Sequence, residues 1–127
     1  MKDFDSWNEF KKKVHSKEKF SLCSEREIWW TSLGLNVGNE QDGTGNDYER
    51  PVVILKNINN TTCFIIPLTT SPIDNPYRIP LGKIKGKNAW AAISQLRAID
   101  TKRLHNRVGK INTELFKEIK KALKEIL

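Results

Sequence analysis

No stretch of this chain approaches the roughly 18 consecutive apolar residues of a membrane-spanning helix, so no membrane association is expected. The opening Met1-Lys2-Asp3-Phe4-Asp5 also lacks the basic-then-apolar order of a secretory signal, which makes the cytoplasm the expected location. Cysteine is scarce. Cys23 and Cys63 have no CxxC spacing and no histidine cluster beside them, which argues against a disulfide framework or a metal site. Cys63 lies inside an apolar run and reads as a small core residue. Internal repeats, low-complexity tracts and linkers are missing too, and 127 residues suit one domain with a real core.

Positive charge is what the chain has in excess. A formal net charge of +7 and a pI near 9.5 point to an anionic partner, either nucleic acid or an acidic protein. Hydrophobic residues make up 38% and charged residues 29%, so the excess belongs to a folded surface and not to a disordered tail.

The chain is organised around Gly38–Pro51, a polar loop rich in glycine and carboxylate between two apolar runs. Glu27–Leu33 before it and Val52–Leu55 after it read as strands. A structureless loop of that length inside a domain is usually functional or disordered. It ends in Arg50-Pro51, where the proline restricts the backbone and the guanidinium becomes a good anion holder. Arg50 is therefore the first candidate for chemistry on a phosphate.

Ahead of this loop, Phe4, Trp7, Phe10 and Val14 recur at helical spacing with Lys11-Lys12-Lys13 opposite them. The helix is expected to lay Trp7 and Phe10 on the body of the domain, with a basic RNA-contacting arm as the other possibility. Trp29-Trp30 should place one ring on each face of its strand, one of them in the core. After the loop, Pro51–Lys56, the turn Asn57-Ile58-Asn59-Asn60 and Thr61–Leu68 form a hairpin. Ile54, Phe64 and Ile66 suggest strands buried on both faces. Asn75–Leu81, with two prolines, suits an edge strand, followed by a basic turn Gly82–Lys87 and a strand Asn88–Ile93. Asp100 can cap a short helix Thr101–Asn106, and Val108–Ile111 is a last strand. Asn112 or Thr113 caps a closing helix whose Leu115, Phe116, Ile119, Ala122, Leu123 and Ile126 share one stripe. The expected fold is mainly β (α+β): a small antiparallel barrel with an N-terminal and a C-terminal helix.

Several pieces, kept in order, resemble one family: Glu27-Ile28-Trp29-Trp30 with Leu33-Gly34, Gly38–Gly43, Arg50-Pro51-Val52-Val53, Ile66–Ser71, and Ser94–Leu104. Together they make the chain similar to the MazF/PemK toxin endoribonucleases of type II toxin–antitoxin systems. That resemblance implies an SH3-like barrel of the CcdB/Kid/MazF type that forms a homodimer and an RNA groove near the dimer interface. It implies metal-independent, cofactor-free cleavage of single-stranded RNA to a 2′,3′-cyclic phosphate and a 5′-hydroxyl, blocked by a cognate acidic antitoxin. Residues 1–24 are then a helical extension of a single family domain.

Cleaving RNA through its own 2′-OH needs a base, stabilisation of the phosphorane and a proton for the leaving oxygen. By resemblance Arg50 and Thr69 are the catalytic pair and Glu40 a candidate base. Asn39, Gln41, Tyr48, Thr70, Ser71, Gln95 and Arg97 are candidate RNA contacts. Some relatives carry an acid where this chain has Ser94. The loop departs further, because Thr44–Glu49 lengthens it and adds Asp47, Tyr48 and Glu49. The insertion is either a cover over the groove, with Tyr48 free to stack on a base, or an idle surface segment. His105 finds no partner in the pattern and reads as a helix-end residue. Two alternatives stay open: a non-catalytic RNA- or protein-binding module on the same fold, and a CcdB-like gyrase inhibitor.

Overall fold

In the computed structural model, which describes residues 2–16, 21–34, 49–71 and 77–127, strands dominate and a helix stands near each end. The elements run α1 (Phe4–His15), β1 (Glu27–Ser32), β2 (Glu49–Asn57), β3 (Thr62–Thr69), β4 (Arg78–Ile84), β5 (Lys87–Ala92), β6 (Arg97–Asp100), β7 (Leu104–Lys110) and α2 (Thr113–Ile126). Strand order is β4-β5-β3-β2-β1-β7, antiparallel throughout, with β6 added on β3. β3 is the pivot. Its first half pairs with β6 and its end, Leu68 and Thr69, pairs with β5. One strand serving two neighbours in succession curls the sheet into a half-barrel.

Both faces of the sheet are buried, as the near-continuous apolar runs of β2 and β3 foretell. Val53, Ile66 and Leu68 face one core with Ile28, Ile93 and the α2 residues Phe116, Ile119 and Leu123. Val52, Ile54 and Ile65 face the other with Trp29, Leu33, Cys63 and Leu104. Phe64 departs from expectation at 37% exposure. A register shift between Ile54 and Lys56 sets Phe64 opposite Lys56, at the edge of the apolar run. Cys23 and Cys63 are buried and unlinked, and Cys63 donates a hydrogen bond to Cys23, which together with burial pushes the Cys63 thiol up.

Turns follow local chemistry. Asn60 takes a φ of 66°, while Asn57 Oδ1 accepts from Asn60 N at 2.8 Å and Asn59 Oδ1 from Thr62 N at 3.0 Å. Three expectations change here. The basic turn is narrower, because β4 runs on to Ile84 and the chain reverses at Lys85-Gly86, both at positive φ. The Thr101–Asn106 helix is only a 3₁₀ turn, Thr101–Arg103. Asp100 caps it through Lys102 N at 2.8 Å, but β1 is available for pairing, so the chain turns extended at Leu104 and β7 starts four residues early. β2 likewise begins at Glu49, since Glu49 and Arg50 pair with Ser32 and Thr31. Arg50 is thus a strand residue and not the end of a loop.

Asp3 caps α1 by accepting from Ser6 N at 3.0 Å. Trp7 and Val14 are buried, but Phe4, expected on the same face, is 48% exposed because the helix starts there, ahead of its contact. Trp7 packs on Gly34, whose φ is +75° and whose missing side chain makes the contact possible: a Cβ would stand 2.1 Å from the indole. Gly34→Ala is expected to lift α1 from the body and cost about 2 kcal/mol. Thermal melts and limited proteolysis at the α1 boundary check this; an unchanged melting temperature with α1 still protected would refute it. No helix among the described residues is long and apolar enough to cross a membrane.

Candidate active site

The β2–β3 hairpin sets the geometry. Val52 pairs with Pro67, Val53 with Ile66 and Ile54 with Ile65. The same register carried two residues further aligns Arg50 with Thr69. Both side chains line one cleft of about 410 Å³.

Arg50 is half-buried, and its Nη1 donates to Leu68 O at 3.2 Å, which ties the guanidinium to the end of β3. Thr69 is only 7% exposed. Its Oγ1 accepts from Ser71 N at 3.2 Å, a hydroxyl turn that fixes the oxygen at the strand end. The O–H remains a donor. Thr70 lines the cleft and is exposed. Ser71 does not line it. Its carbonyl accepts from Arg78 Nη1 at 3.0 Å, which ties the chain just past β3 to the start of β4.

Among the lining residues that sequence reasoning did not assign to the site are Trp30, Glu49, Lys85 and Lys87. The described lining therefore carries three cations, Arg50, Lys85 and Lys87, against one carboxylate. Trp30 supplies the apolar wall, while its neighbour Trp29 goes to the core as expected. The lysines were visible as a basic turn, but only the β4–β5 pairing beside β3 brings that turn to Thr69. His105 is the other surprise. Its Nε2 contacts Ser32 Oγ and lies 3.7 Å from Glu49 Oε1. The early start of β7 puts His105 on a strand across β1 from Glu49, so the residue left without a partner has two.

The remaining sequence-predicted residues divide in two groups. Asn39, Glu40, Gln41 and Tyr48 lie outside the described residues, as does the Thr44–Glu49 insertion apart from Glu49. Gln95 sits in the 3₁₀ turn Ile93–Gln95, and Arg97 opens β6 opposite Ile65. Neither lines the cleft with Arg50. Arg97 instead stands near Arg103.

A sequence model described as PemK-like, MazF-like toxin of type II toxin–antitoxin system matches residues 24–127. Among curated protein sequences none matches the chain. Solved structures do. MazF of Deinococcus radiodurans superposes with a TM-score of 0.70 at 16% identity, over 84% of this chain and 96% of that one. A mycobacterial endoribonuclease in complex with its cognate antitoxin gives a TM-score of 0.64 at 14% identity, over 82% and 93%. The Mycobacterium tuberculosis toxin MazF-mt6 gives 0.63 at 17% identity, over 79% and 94%. At such identities these likenesses establish the curled barrel and its two helices.

Proposed function

The chain belongs to the PemK-like, MazF-like toxin family of type II toxin–antitoxin systems, and on that footing we propose that it is a sequence-specific endoribonuclease that cuts single-stranded RNA without a metal. One observation carries this most: an arginine and a threonine on adjacent strand ends, in a cationic cleft, at the two positions the family's chemistry calls for. In the proposed reaction the 2′-oxygen of the substrate forms a bond to phosphorus as its proton leaves to a base. The bond from phosphorus to the 5′-oxygen breaks, and that oxygen takes up a proton. The products are a 2′,3′-cyclic phosphate and a 5′-hydroxyl. Arg50 meets the charge that grows on the phosphorane oxygens, and Thr69 donates to one of them. Thr70, Ser71, Asn39, Gln41 and Tyr48 are proposed RNA contacts and Glu40 a proposed base. Gln95 and Arg97 are proposed to act outside the cleft.

The endoribonuclease and toxin–antitoxin structures that share the fold support the partners as well: an acidic antitoxin that covers the cationic cleft, and a second copy of the chain in a homodimer. Residues 1–24 are proposed as a helical extension of a single domain.

The decisive experiment incubates a long RNA with the protein in excess EDTA and maps the cuts by primer extension. Cuts at one short sequence, with 5′-hydroxyl ends, are the expected result. A folded protein that binds RNA and never cuts it would favour a binding module, and arrested supercoiling with intact RNA would favour a gyrase inhibitor. Cutting abolished by EDTA would remove the metal-independent mechanism.

His105 is proposed as a positioning residue, because it holds Glu49 and the end of β1 beside Arg50. His105→Ala is expected to lower kcat about tenfold, or ~1.4 kcal/mol. His105→Gln, which keeps a hydrogen-bonding group at that position, should recover most of the loss. Equal activity in both variants, whether high or low, would count against positioning through this contact.

A further inference from the structure

A second cleft, about 470 Å³, lies between α1 and the 3₁₀ turn Thr101–Arg103. Lys11, Lys12, Val14, His15 and Ser16 line it from the helix and its end, and Asp100, Lys102 and Arg103 from the turn. Among the described residues four cations line it against one carboxylate, with Lys12 Nζ also 3.2 Å from Glu9 Oε1 on α1. The Asp100 carboxylate already accepts from Lys102 N at 2.8 Å. The ordinary explanation for lysines late in a helix is compensation of its dipole, but a helix C-terminus carries only about half a negative charge. The excess is several times larger than that.

The cleft is also built, and not merely a run of surface lysines. Arg103 lies 5.7 Å from the centre of the Trp7 ring, and its Nη1 donates to Ser32 O at 3.3 Å. Burial, with the Arg97 guanidinium nearby, holds the Arg103 pKa below the usual arginine value. Lys102 Nζ donates to His15 O at 3.3 Å, tying the turn to the end of α1. Gly34, two residues past the end of β1, supplies the seat for Trp7 that keeps the helix there.

We propose that this cleft is a second phosphate-binding site, which grips the single-stranded RNA a few nucleotides away from the linkage cut at Arg50. The proposal rests on the RNA-cleaving function above. Register places it within reach. Thr31 pairs with Arg50 on one side and with Leu104, the residue after Arg103, on the other. Arg50 and the turn are therefore two strand spacings apart, about 10 Å, a distance that a short stretch of extended single strand bridges. An acidic peptide is the rival occupant. Peptides that fold on a surface draw affinity from apolar anchors set into a groove, and here Val14 is the one apolar residue in the described lining. Phosphates need charge alone, and charge is what the cleft offers. Its α1 half comes from residues ahead of position 24, where the family match begins, so this grip would belong to this chain and not to the shared domain.

The test uses the full chain and labelled 2′-O-methyl RNA, which has no free 2′-OH to attack, in lengths of about two nucleotides, too short to reach both clefts, and about twenty. Lys11 and Lys12 are exposed, so Lys11→Gln with Lys12→Gln should leave the fold intact. The double variant is expected to bind the long RNA about tenfold more weakly at low salt and the short RNA as before. Its log–log salt slope for the long RNA should fall by about 1.4, at ~0.7 per lost contact. Lys121→Gln with Lys124→Gln, the same charge change on α2 and in neither cleft, should not reproduce this. An unchanged long-RNA affinity in the α1 variant, or equal losses in both double variants, overturns the second site while cleavage by the wild type leaves the function standing. Wild-type protein that neither binds nor cuts RNA overturns both. Binding of an acidic peptide that only the α1 variant loses, with RNA binding intact, reassigns the cleft to a protein partner.

Discussion

Arg50→Ala is expected to lower kcat for RNA cleavage by about 10³-fold, the upper end of what one preorganised donor contributes to an anionic transition state. The reason is differential charge. A phosphodiester carries one negative charge, and the phosphorane formed by attack of the 2′-oxygen carries more, so a fixed cation gains in interaction as the reaction proceeds. Arg50 is half-buried, tethered to Leu68 O at 3.2 Å and backed by Pro51 on a paired strand, so little reorganisation is needed. Arg50→Lys should recover only part of the activity, since an ammonium keeps the charge and loses the planar fork. Stability should fall by no more than about 1 kcal/mol, the worth of one ordinary hydrogen bond. Circular dichroism and a thermal melt therefore separate the two effects. Activity within tenfold of wild type in a folded Arg50→Ala protein would remove Arg50 from the chemistry.

The parts of this molecule that were legible in the sequence are those set by local chemistry. The hairpin from Pro51 to Leu68 follows from apolar runs around an Asn-rich turn, and the closing helix from its stripe and the Asn112 cap, whose Oδ1 accepts from Leu115 N at 2.8 Å. Phe116, Ile119 and Leu123 are buried as that stripe requires, though Ile126, in the last turn of α2, is 39% exposed. What was not legible depends on pairing across the sheet. Nothing in the order of residues says that Lys85 and Lys87 will stand beside Thr69, because that follows from β5 joining the far end of β3. His105 looked idle for the same reason: the Thr101–Asn106 stretch has the cap of a helix, and only the presence of β1 draws it out as a strand. Arg50 was singled out by its place before Pro51, and Thr69 by motif resemblance. Their nearness has a physical cause that sequence alone hints at, namely the hairpin register that aligns positions equidistant from its turn.

Thr69→Val should be nearly as severe as loss of Arg50, with kcat lowered about 10²-fold, because valine keeps the shape and removes the only group on that side chain able to donate to a phosphorane oxygen. The substitution also exposes a competing explanation. Thr69 Oγ1 accepts from Ser71 N at 3.2 Å, so the hydroxyl holds the turn that follows β3 as well. If that were its whole task, Thr69→Val would leave a backbone N–H without its acceptor and cost about 1–3 kcal/mol of stability, with activity following the fraction folded. A catalytic hydroxyl predicts something different at a temperature where every variant is fully folded: kcat low, KM little changed, and Thr69→Ser close to wild type because serine restores the O–H on the same strand end. Burial decides how far neighbours can compensate. Thr70 lines the same cleft but is exposed, one residue past the end of β3, where water competes for its hydroxyl. Thr70→Val should therefore change kcat much less than Thr69→Val. The reverse ranking would transfer the hydroxyl's role to Thr70 and leave Thr69 as the residue that shapes the turn.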